Sequence, residues 1–177
     1  EFEQCVAENR GVERVNANLQ AAPDAGMGGT PTSVIVTGSG EQYFMVGALP
    51  FETLDAYITA AVANDTVKLT ELDSQFGIPD ASDVSGLGGE DHLRGSIDAP
   101  VALIEYSDLE CPFCKQFHPS IQRVLDKYGD QVVWAYRHFP IETIHASARP
   151  LAEGSECAAQ LGGNDKFWEY IDYIFGR

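Results

Sequence analysis

The sequence predicts an α/β fold, with a central mixed sheet flanked by helices, and three stretches carry this prediction. Residues 101–118, VALIEYSDLECPFCKQFH, begin with an apolar run of β-forming residues that leads directly into a Cys-Pro-Phe-Cys turn opening a helix. Residues 132–139, VVWAYRHF, form a second run whose β-branched and aromatic content is typical of a buried strand. Residues 33–46 contain two β-prone runs around a Gly-rich turn, which indicates a hairpin.

The composition indicates one globular domain with an acidic surface. The chain has 177 residues, of which 44% are hydrophobic, enough to bury one good core. The formal net charge of −16 argues against nucleic acid and anionic membrane surfaces as partners, because both need clustered Lys and Arg. No run approaches the roughly 18 apolar residues of a membrane span, and the polar start EFEQCVAENR predicts that this chain carries no signal peptide.

The remaining elements follow from periodicity and from breakers. Residues 1–22 carry apolar side chains at three- and four-residue spacings, which predicts a helix interrupted near Gly11. After the hairpin, an apolar stripe over 51–62 predicts an amphipathic helix that packs on the core. Residues 64–100 are rich in Asp, Ser and Gly and have no sustained period, so they are expected to form an extended irregular connection.

Beyond the second buried strand, the sequence predicts two consecutive helices. The first covers IETIHASARPLAEGSECAAQLGG, and the second covers NDKFWEYIDYIFGR. Asn164 or Asp165 is expected at the N-cap of the second helix, because both side chains can accept hydrogen bonds from free backbone N–H groups.

The Cys-Pro-Phe-Cys turn is the candidate reactive site. Pro112 fits the first turn of a helix because it has no N–H, which makes Cys111 the predicted N-cap. Free N–H groups of Phe113 and Cys114 then point at the Cys111 sulfur, and the helix dipole adds roughly half a positive charge. The pKa of Cys111 should therefore fall below the free value of about 8.5, which makes Cys111 the predicted nucleophile. Cys114 has the spacing to attack a mixed disulfide on Cys111 and release the product, without any cofactor.

Two structural interpretations of the same motif are weaker. A zinc knuckle needs a second Cys-x-x-Cys or a closely spaced Cys/His pair, and the chain offers only the isolated Cys5 and Cys157. A purely structural disulfide within Cys-x-x-Cys would close a small, strained ring that is easily reduced. We therefore expect no metal at this motif.

Further side chains near the motif bear on its chemistry. Glu105 stands in the middle of the apolar strand, where burial should raise its pKa, unless it reaches solvent at a sheet edge or pairs with a Lys. Phe113 cannot donate a side-chain hydrogen bond to the thiolate, which favours a less oxidising disulfide. His118 lies one turn after Cys114 on the same side of the helix and is placed to influence the thiolate. The other histidines are interpreted as structural: His92, His138 and His145.

Several motifs in combination resemble one known family. They are EYSDLECPFCKQFHPS at 105–120, YGDQVVWAYRHFP at 128–140, HASARPLAEGSECAAQ at 145–160 and KFWEYIDYIF at 166–175. Together they are similar to the DsbA-like branch of the thioredoxin superfamily, whose members catalyse thiol-disulfide exchange.

The order of these motifs along the chain is inverted relative to that family. The family's tight turn with a cis-proline appears as GGTPTSVIV at 28–36, before the Cys-x-x-Cys motif instead of after it. The resemblance therefore implies a single thioredoxin-like domain over 1–177, circularly permuted and with a helical insertion. Residues 1–63 would be the family's C-terminal half, 64–100 the connecting segment, and 101–177 the family's N-terminal half.

The resemblance also implies roles for individual residues. Glu105 would assist proton transfer to and from Cys114. A cis peptide between Thr30 and Pro31 would pack against the disulfide, where a trans proline entering a strand is the alternative. Thr30 would then present its backbone N–H and C=O beside Cys111, so that a substrate peptide could add as a short strand. In this picture Pro112, Phe113 and His118 support the site.

Cys5 and Cys157 have a separate expected role. Relatives of this kind often carry cysteines at both places, so the resemblance implies a structural disulfide between them. Two buried free thiols are the alternative.

The expected function is thiol-disulfide exchange between the Cys111–Cys114 pair and cysteine-containing proteins or peptides, as a dithiol oxidase in extracytoplasmic protein folding. A redox partner would reoxidise or reduce the pair, in the periplasm, the cell envelope or a secreted setting. A reductase or isomerase using the same residues, and a non-catalytic binding or metal module with a vestigial motif, are the alternatives. We expect a monomer with Glu1 close to Arg177, and a domain-swapped dimer is the competing arrangement.

Overall fold

The computed structural model describes residues 1–79 and 81–176, and it arranges them as a five-stranded mixed sheet flanked by helices. The helices are α1 (Phe2–Ala7), α2 (Val12–Asp24), α3 (Phe51–Val62), α4 (Thr66–Phe76), α5 (Pro112–Tyr128) and α6 (Ala148–Gly176). The strands are β1 (Thr32–Val36), β2 (Gln42–Val46), β3 (His92–Arg94), β4 (Val101–Ser107) and β5 (Val132–His138). The predicted α/β class with a central mixed sheet is confirmed.

The strand order β2-β1-β4-β5-β3 places the predicted central strands at the centre. β4 and β5 run parallel and are buried along their whole length, as their continuous apolar sequences predict. β1 pairs antiparallel with β4, with Thr32 opposite Tyr106 and Ser33 opposite Glu105. This pairing brings residues from the start of the chain to the strand that precedes the Cys-Pro-Phe-Cys turn.

Alternation along the strands divides the core between the two faces of the sheet. Leu103 and Trp134 pack with α3, α5 and α6 on one face, whereas Ile104 and Ala135 pack with α2 on the other. Because side chains on a strand alternate with a period of two, Glu105 faces the same layer as Leu103, beneath α5.

Two regular elements lie within 64–100, where the sequence predicted only an irregular connection. α4 begins at the N-cap Asp65, whose side chain accepts a hydrogen bond from the Lys68 N–H, and it buries Leu69 and Leu72. Only two buried side chains in eleven residues left too weak an apolar period to be recognised. β3 is three residues long and pairs with β5, and so short a strand has no period of its own.

The helical block after β5 also differs from the prediction. Residues 141–147 are not helical, and α6 begins at Ala148 and is kinked at Gly162 and Gly163. The predicted N-cap residue Asn164 instead exchanges two hydrogen bonds with the backbone of Leu93 in β3, at 3.1 and 2.7 Å. A contact with a strand 71 positions away has no local sequence signal.

The N-terminal helices are fixed against α6. Cys5 in α1 and Cys157 in α6 form a disulfide that spans 152 positions of sequence. Closing so long a loop stabilises a folded chain by about 2–4 kcal/mol. Gly11 lies between α1 and α2, where an added Cβ would come within 2.5 Å of the Glu153 carbonyl oxygen. The predicted interruption near Gly11 is confirmed and permits this close approach.

A buried acid joins the connecting segment to the helical block. Nε2 of His92 and Nε2 of His138 both donate to Oε1 of Glu156, at 3.0 and 2.9 Å. Burial alone would raise the pKa of Glu156, but these hydrogen bonds outweigh it and lower the pKa to about 2.

Among the described residues, no helix is long and apolar enough to cross a membrane.

The lowered pKa of Glu156 predicts a loss of stability in acid. The stabilisation is fully present above the ordinary pKa of 4.5 and disappears as the pH falls through about 2, because the folded state then has to protonate a hydrogen-bonded carboxylate. The contribution is on the order of 3 kcal/mol. We expect urea unfolding at stepped pH to show a smaller loss between pH 5 and 2 in Glu156→Gln than in the unsubstituted protein. Glu169→Gln, an exposed change on the same helix, is the control, and equal pH dependence in both variants would refute the assignment.

Candidate active site

The two cysteines of the Cys-Pro-Phe-Cys turn are free thiols at the start of α5. Cys111 is the N-cap with an extended backbone, and Pro112 occupies the first helical position. The Cys111 N–H donates to the carbonyl oxygen of Asp108 at 3.1 Å, which fixes the turn between β4 and α5. Cys114 lies one turn along α5 and is completely buried.

The loop before β1 lies beside Cys111. The Thr30–Pro31 peptide bond is cis, and the carbonyl oxygen of Thr30 is 3.5 Å from the Cys111 Sγ. The Thr32 hydroxyl donates to the carbonyl oxygen of Gly29, and the Gly47 N–H donates to that of Pro31, so both ends of this loop are anchored. The structure thus brings together Thr30, Pro31 and Cys111, which lie far apart in the sequence.

The environment of Cys111 favours its thiolate. The largest contribution is a hydrogen bond from the Cys114 thiol, which lowers the pKa of Cys111. Burial opposes this effect, and the backbone N–H groups of Cys114 and Phe113 reinforce it, giving a pKa of about 5. The helix N-terminus and the neighbouring thiol together therefore provide the donors, although Phe113 contributes no side-chain hydrogen bond.

The two sulfurs differ strongly in their preference for charge. Burial raises the pKa of Cys114, and the neighbouring Cys111 and the Glu105 carboxylate raise it further. Sγ of Cys114 accepts a hydrogen bond from the Asp108 N–H at 3.4 Å. At neutral pH the pair consequently consists of a thiolate at Cys111, which is only 4% exposed, and a protonated thiol at the fully buried Cys114.

Glu105 is a fully buried carboxyl group beneath Cys114. Its Oε2 accepts a hydrogen bond from Trp134 Nε1 at 3.1 Å, and burial raises its pKa to about 7. Glu105 does not reach solvent, which was the alternative the sequence left open. A carboxyl group with this pKa can hold or release a proton near neutral pH.

The predicted support residues have different surroundings. Phe113 projects outward with 60% of its surface exposed, next to the nucleophile. His118 is buried between the rings of Trp134 and Phe175, and its Nε2 hydrogen-bonds to Asp172 on α6 at 2.8 Å. Burial lowers the pKa of His118, and Asp172 partly offsets this. The contacts of His118 therefore join α5 to α6 and do not include Cys111.

Two residues at the site were missed by sequence reasoning. The buried Asp108 accepts hydrogen bonds from the Glu110 N–H, the Ile141 N–H and His145 Nδ1, each at 2.8 Å. The hydrogen bond with Asp108 raises the pKa of His145, and the negative charge of Cys111 adds to this. Asp108 follows directly on β4 and precedes Cys111 by three positions, which could have indicated a role at the site. Its partner His145 lies 37 positions away, and no local pattern identifies it.

This arrangement can perform nucleophilic sulfur chemistry. It offers a thiolate at the start of α5, a second thiol one helical turn away, and a buried acid able to exchange a proton with that thiol. No group of three or more potential metal-ligating side chains is found in residues 1–79 and 81–176.

Comparisons with known proteins match parts of this chain to a family model and to several relatives. A family model described as thioredoxin matches residues 88–177, half of the chain. The Na(+)/H(+) antiporter NhaA 1 of Mycolicibacterium vanbaalenii is 45% identical over 85 residues, which cover 48% of this chain and 13% of the antiporter. The NhaA 3 antiporter of Salinispora tropica is 40% identical over 87 residues, again 13% of its length.

A solved structure is also similar in part. DsbA2 of Pseudomonas aeruginosa is 40% identical, with a TM-score of 0.47 over 52% of this chain and 50% of that one. The chain spans about half of this protein and about an eighth of the antiporters that it matches.

The charge asymmetry of the two cysteines predicts a specific titration. When the reduced protein is titrated with acid, its ultraviolet thiolate absorbance should decrease with a midpoint near pH 5, because Cys111 is ionised above that pH. Cys114→Ala should shift this midpoint upward, since it removes the strongest donor to Cys111. Cys111→Ala is the control and should show no thiolate between pH 4 and 7. A midpoint near the free-thiol value in the unsubstituted protein would refute the nucleophile assignment.

Proposed function

Because the chain belongs to the thioredoxin family, we propose that it is a thiol-disulfide oxidoreductase that exchanges a Cys111–Cys114 disulfide with cysteines of substrate proteins. We further propose that it acts as a dithiol oxidase in extracytoplasmic protein folding. The observation that carries this proposal is the position of Cys111 at the N-cap of α5 beside the second free thiol, Cys114. This environment lowers the pKa of Cys111 to about 5, which makes its sulfur a good leaving group and stabilises the reduced form. Stabilisation of the reduced form makes the disulfide form an oxidant.

The reaction follows from the positions of the groups. A substrate thiolate attacks Sγ of Cys111, a mixed disulfide forms, and the Cys111–Cys114 bond breaks with its electron pair going to Cys114. Glu105 supplies the proton that the buried Cys114 sulfur takes up. A second substrate thiolate then attacks the substrate sulfur of the mixed disulfide, and Cys111 leaves as a stable thiolate. The substrate is oxidised to a disulfide, and the enzyme is reduced by two electrons.

Substrate binding is assigned to the loop before β1. The Thr30 carbonyl lies beside the Cys111 sulfur, so an extended substrate segment that hydrogen-bonds to the Thr30 backbone would carry its cysteine to the nucleophile. The exposed Phe113 ring adds apolar surface at the same place. These contacts would orient the peptide without specific recognition of its side chains, which suits an enzyme with many substrates.

The proposed location rests on the Cys5–Cys157 disulfide. Such bonds persist in oxidising compartments, so the pairing supports the periplasm, the cell envelope or the exterior. A redox partner must accept the two electrons from the reduced pair. A reductase or isomerase would use the same residues with the opposite electron flow, and a measured reduction potential separates these roles.

Disulfide transfer is tested with a model peptide that contains two cysteines. The oxidised protein should oxidise the peptide stoichiometrically, Cys111→Ala should abolish the reaction, and Glu105→Gln should slow it about 10–100-fold by removing the proton source. Ser120→Ala, a partly exposed change on α5 away from the cysteines, is the control. A Cys111→Ala variant that still oxidises the peptide would exclude Cys111 as the nucleophile, and an unsubstituted protein that does not oxidise it would leave the non-catalytic binding module as the interpretation.

The order of the two halves is proposed to be a circular permutation of the family's arrangement. β1 with its cis-proline loop precedes β4 in the chain, yet the two strands are neighbours in the sheet. Gly88 and Gly89 have open space around them and lie in the segment that would join the family's two termini. The ring of Phe2 is 6.3 Å from that of Tyr170, which places α1 against α6. The predicted proximity of Glu1 to Arg177 involves a residue outside the described part of the chain.

A rearranged chain tests the permutation. Residues 88–177, a flexible Gly/Ser linker and residues 1–87 in that order should fold and retain peptide oxidation. The matched control uses the same linker but opens the chain between Gly129 and Asp130, which splits the β4-α5-β5 unit and should abolish folding. Circular dichroism and light scattering report fold and oligomeric state, and a monomer is expected for the native order. An unfolded 88–177/1–87 chain would contradict the proposal.

A further inference from the structure

A cluster of buried side-chain oxygens lies under the two cysteines. It consists of Ser33 on β1, Glu105 and Ser107 on β4, and Tyr136 on β5. Ser33 and Tyr136 flank Glu105 in the register of the sheet, and Ser107 follows two positions later on the same face. All four residues are at most 1% exposed, so their polar atoms have no access to bulk solvent.

These oxygens have no hydrogen-bond partner of good geometry within residues 1–79 and 81–176. They are Oγ of Ser33, Oε1 of Glu105, Oγ of Ser107 and the hydroxyl of Tyr136. Leaving a buried polar group without a partner costs about 1–3 kcal/mol of folding free energy. Four such groups at one place therefore indicate a functional role. The other carboxylate oxygen of Glu105 is held by Trp134 Nε1, which leaves Oε1 directed into the cluster.

Ser107 is the member that lies close to every titratable group of the cluster. Burial dominates the raised pKa values of Glu105, Cys114 and Tyr136, and the Ser107 hydroxyl lowers each of the three. The next residue, Asp108, donates its N–H to the Cys114 sulfur at 3.4 Å, which holds that sulfur beside the end of β4. The Ser107 hydroxyl thus influences Glu105, Cys114 and Tyr136, but it has no hydrogen-bond partner of good geometry.

We propose that the hydroxyl of Ser107 relays the proton between the Glu105 carboxyl group and the Cys114 sulfur. When the Cys111–Cys114 bond breaks, Cys114 receives the electron pair and takes the hydroxyl proton of Ser107. The carboxyl proton of Glu105 moves to the Ser107 oxygen in the same step, so that Ser107 ends unchanged and Glu105 ends as a carboxylate. Reoxidation runs the same transfer in reverse. This inference rests on the proposed function, because the relay acts in thiol-disulfide exchange.

The relay predicts a kinetic defect that is specific to one hydroxyl. Ser107→Ala should slow single-turnover oxidation of the dithiol peptide about 10-fold, within the range for losing assisted proton transfer. Ser107→Thr keeps the hydroxyl and should recover most of the rate. Ser33→Ala is the matched control, because it removes an equally buried and equally unpartnered hydroxyl from the neighbouring strand. In a Glu105→Gln background, Ser107→Ala should cause no further loss, since both changes break the same path.

Two readouts separate a relay from simple structural damage. The single-turnover rate of the unsubstituted protein should vary with pH around the Glu105 pKa of about 7, and Ser107→Ala should flatten this dependence. Carbon-13 NMR of the Glu105 carboxyl should show a higher pKa in Ser107→Ala than in Ser33→Ala, because the nearby Ser107 hydroxyl lowers the pKa of this carboxyl group.

The outcomes distinguish this inference from the proposed function. If the unsubstituted protein oxidises the peptide but Ser107→Ala and Ser33→Ala behave alike in rate, pH profile and Glu105 pKa, the relay is refuted and the proposed function stands. If the unsubstituted protein oxidises no dithiol, the proposed function fails. In that case the NMR comparison still decides whether Ser107 contacts Glu105, and an unchanged Glu105 pKa would overturn the inference on its own.

Discussion

The antiparallel pairing of β1 with β4 is the interaction on which the site depends. β4 delivers the Cys-Pro-Phe-Cys turn, and β1 delivers the Thr30–Pro31 loop, so their shared register sets the 3.5 Å separation between the Thr30 carbonyl and the Cys111 sulfur. A slip by one residue would turn every side chain of β1 to the opposite face. It would also remove Ser33 from the position opposite Glu105. The geometry of the sheet therefore fixes both the surface of the site and its buried acid.

The side chain of Asp108 connects the site to the segment that follows β5. Its buried carboxylate holds the Ile141 N–H and His145, while its own backbone contacts both cysteines. The segment 141–147 is thereby held without being helical, and the Glu110 carboxylate adds a second contact by accepting from the Ser147 N–H at 2.6 Å. The nucleophile, the resolving thiol and the neighbouring loop consequently share one anchor.

The sequence predicted the local parts of this structure better than the distant ones. Pro112 is decisive for the start of α5, because proline is acceptable only in the first turn, and it therefore places Cys111 at the N-cap. Glu105 could be expected to be buried because it stands in the middle of a continuous apolar run. By contrast, β3 and the partners of Asp108 and Asn164 depend on contacts across many positions, for which no local pattern exists. His118 was placed near the thiolate by helical spacing, but Asp172 on α6 holds its ring elsewhere.

The unequal burial of the two sulfurs has a consequence for the fate of stalled reactions. Cys114 has no exposed surface and Cys111 is 4% exposed, so a macromolecule can form a mixed disulfide only at Cys111. Every such adduct has the second thiol waiting one helical turn away, and that thiol can expel the bound partner by an intramolecular attack. Dead-end adducts at the wrong sulfur are sterically excluded. In the proposed exchange reaction, the release of an unproductive partner would therefore not depend on the concentration of any other thiol.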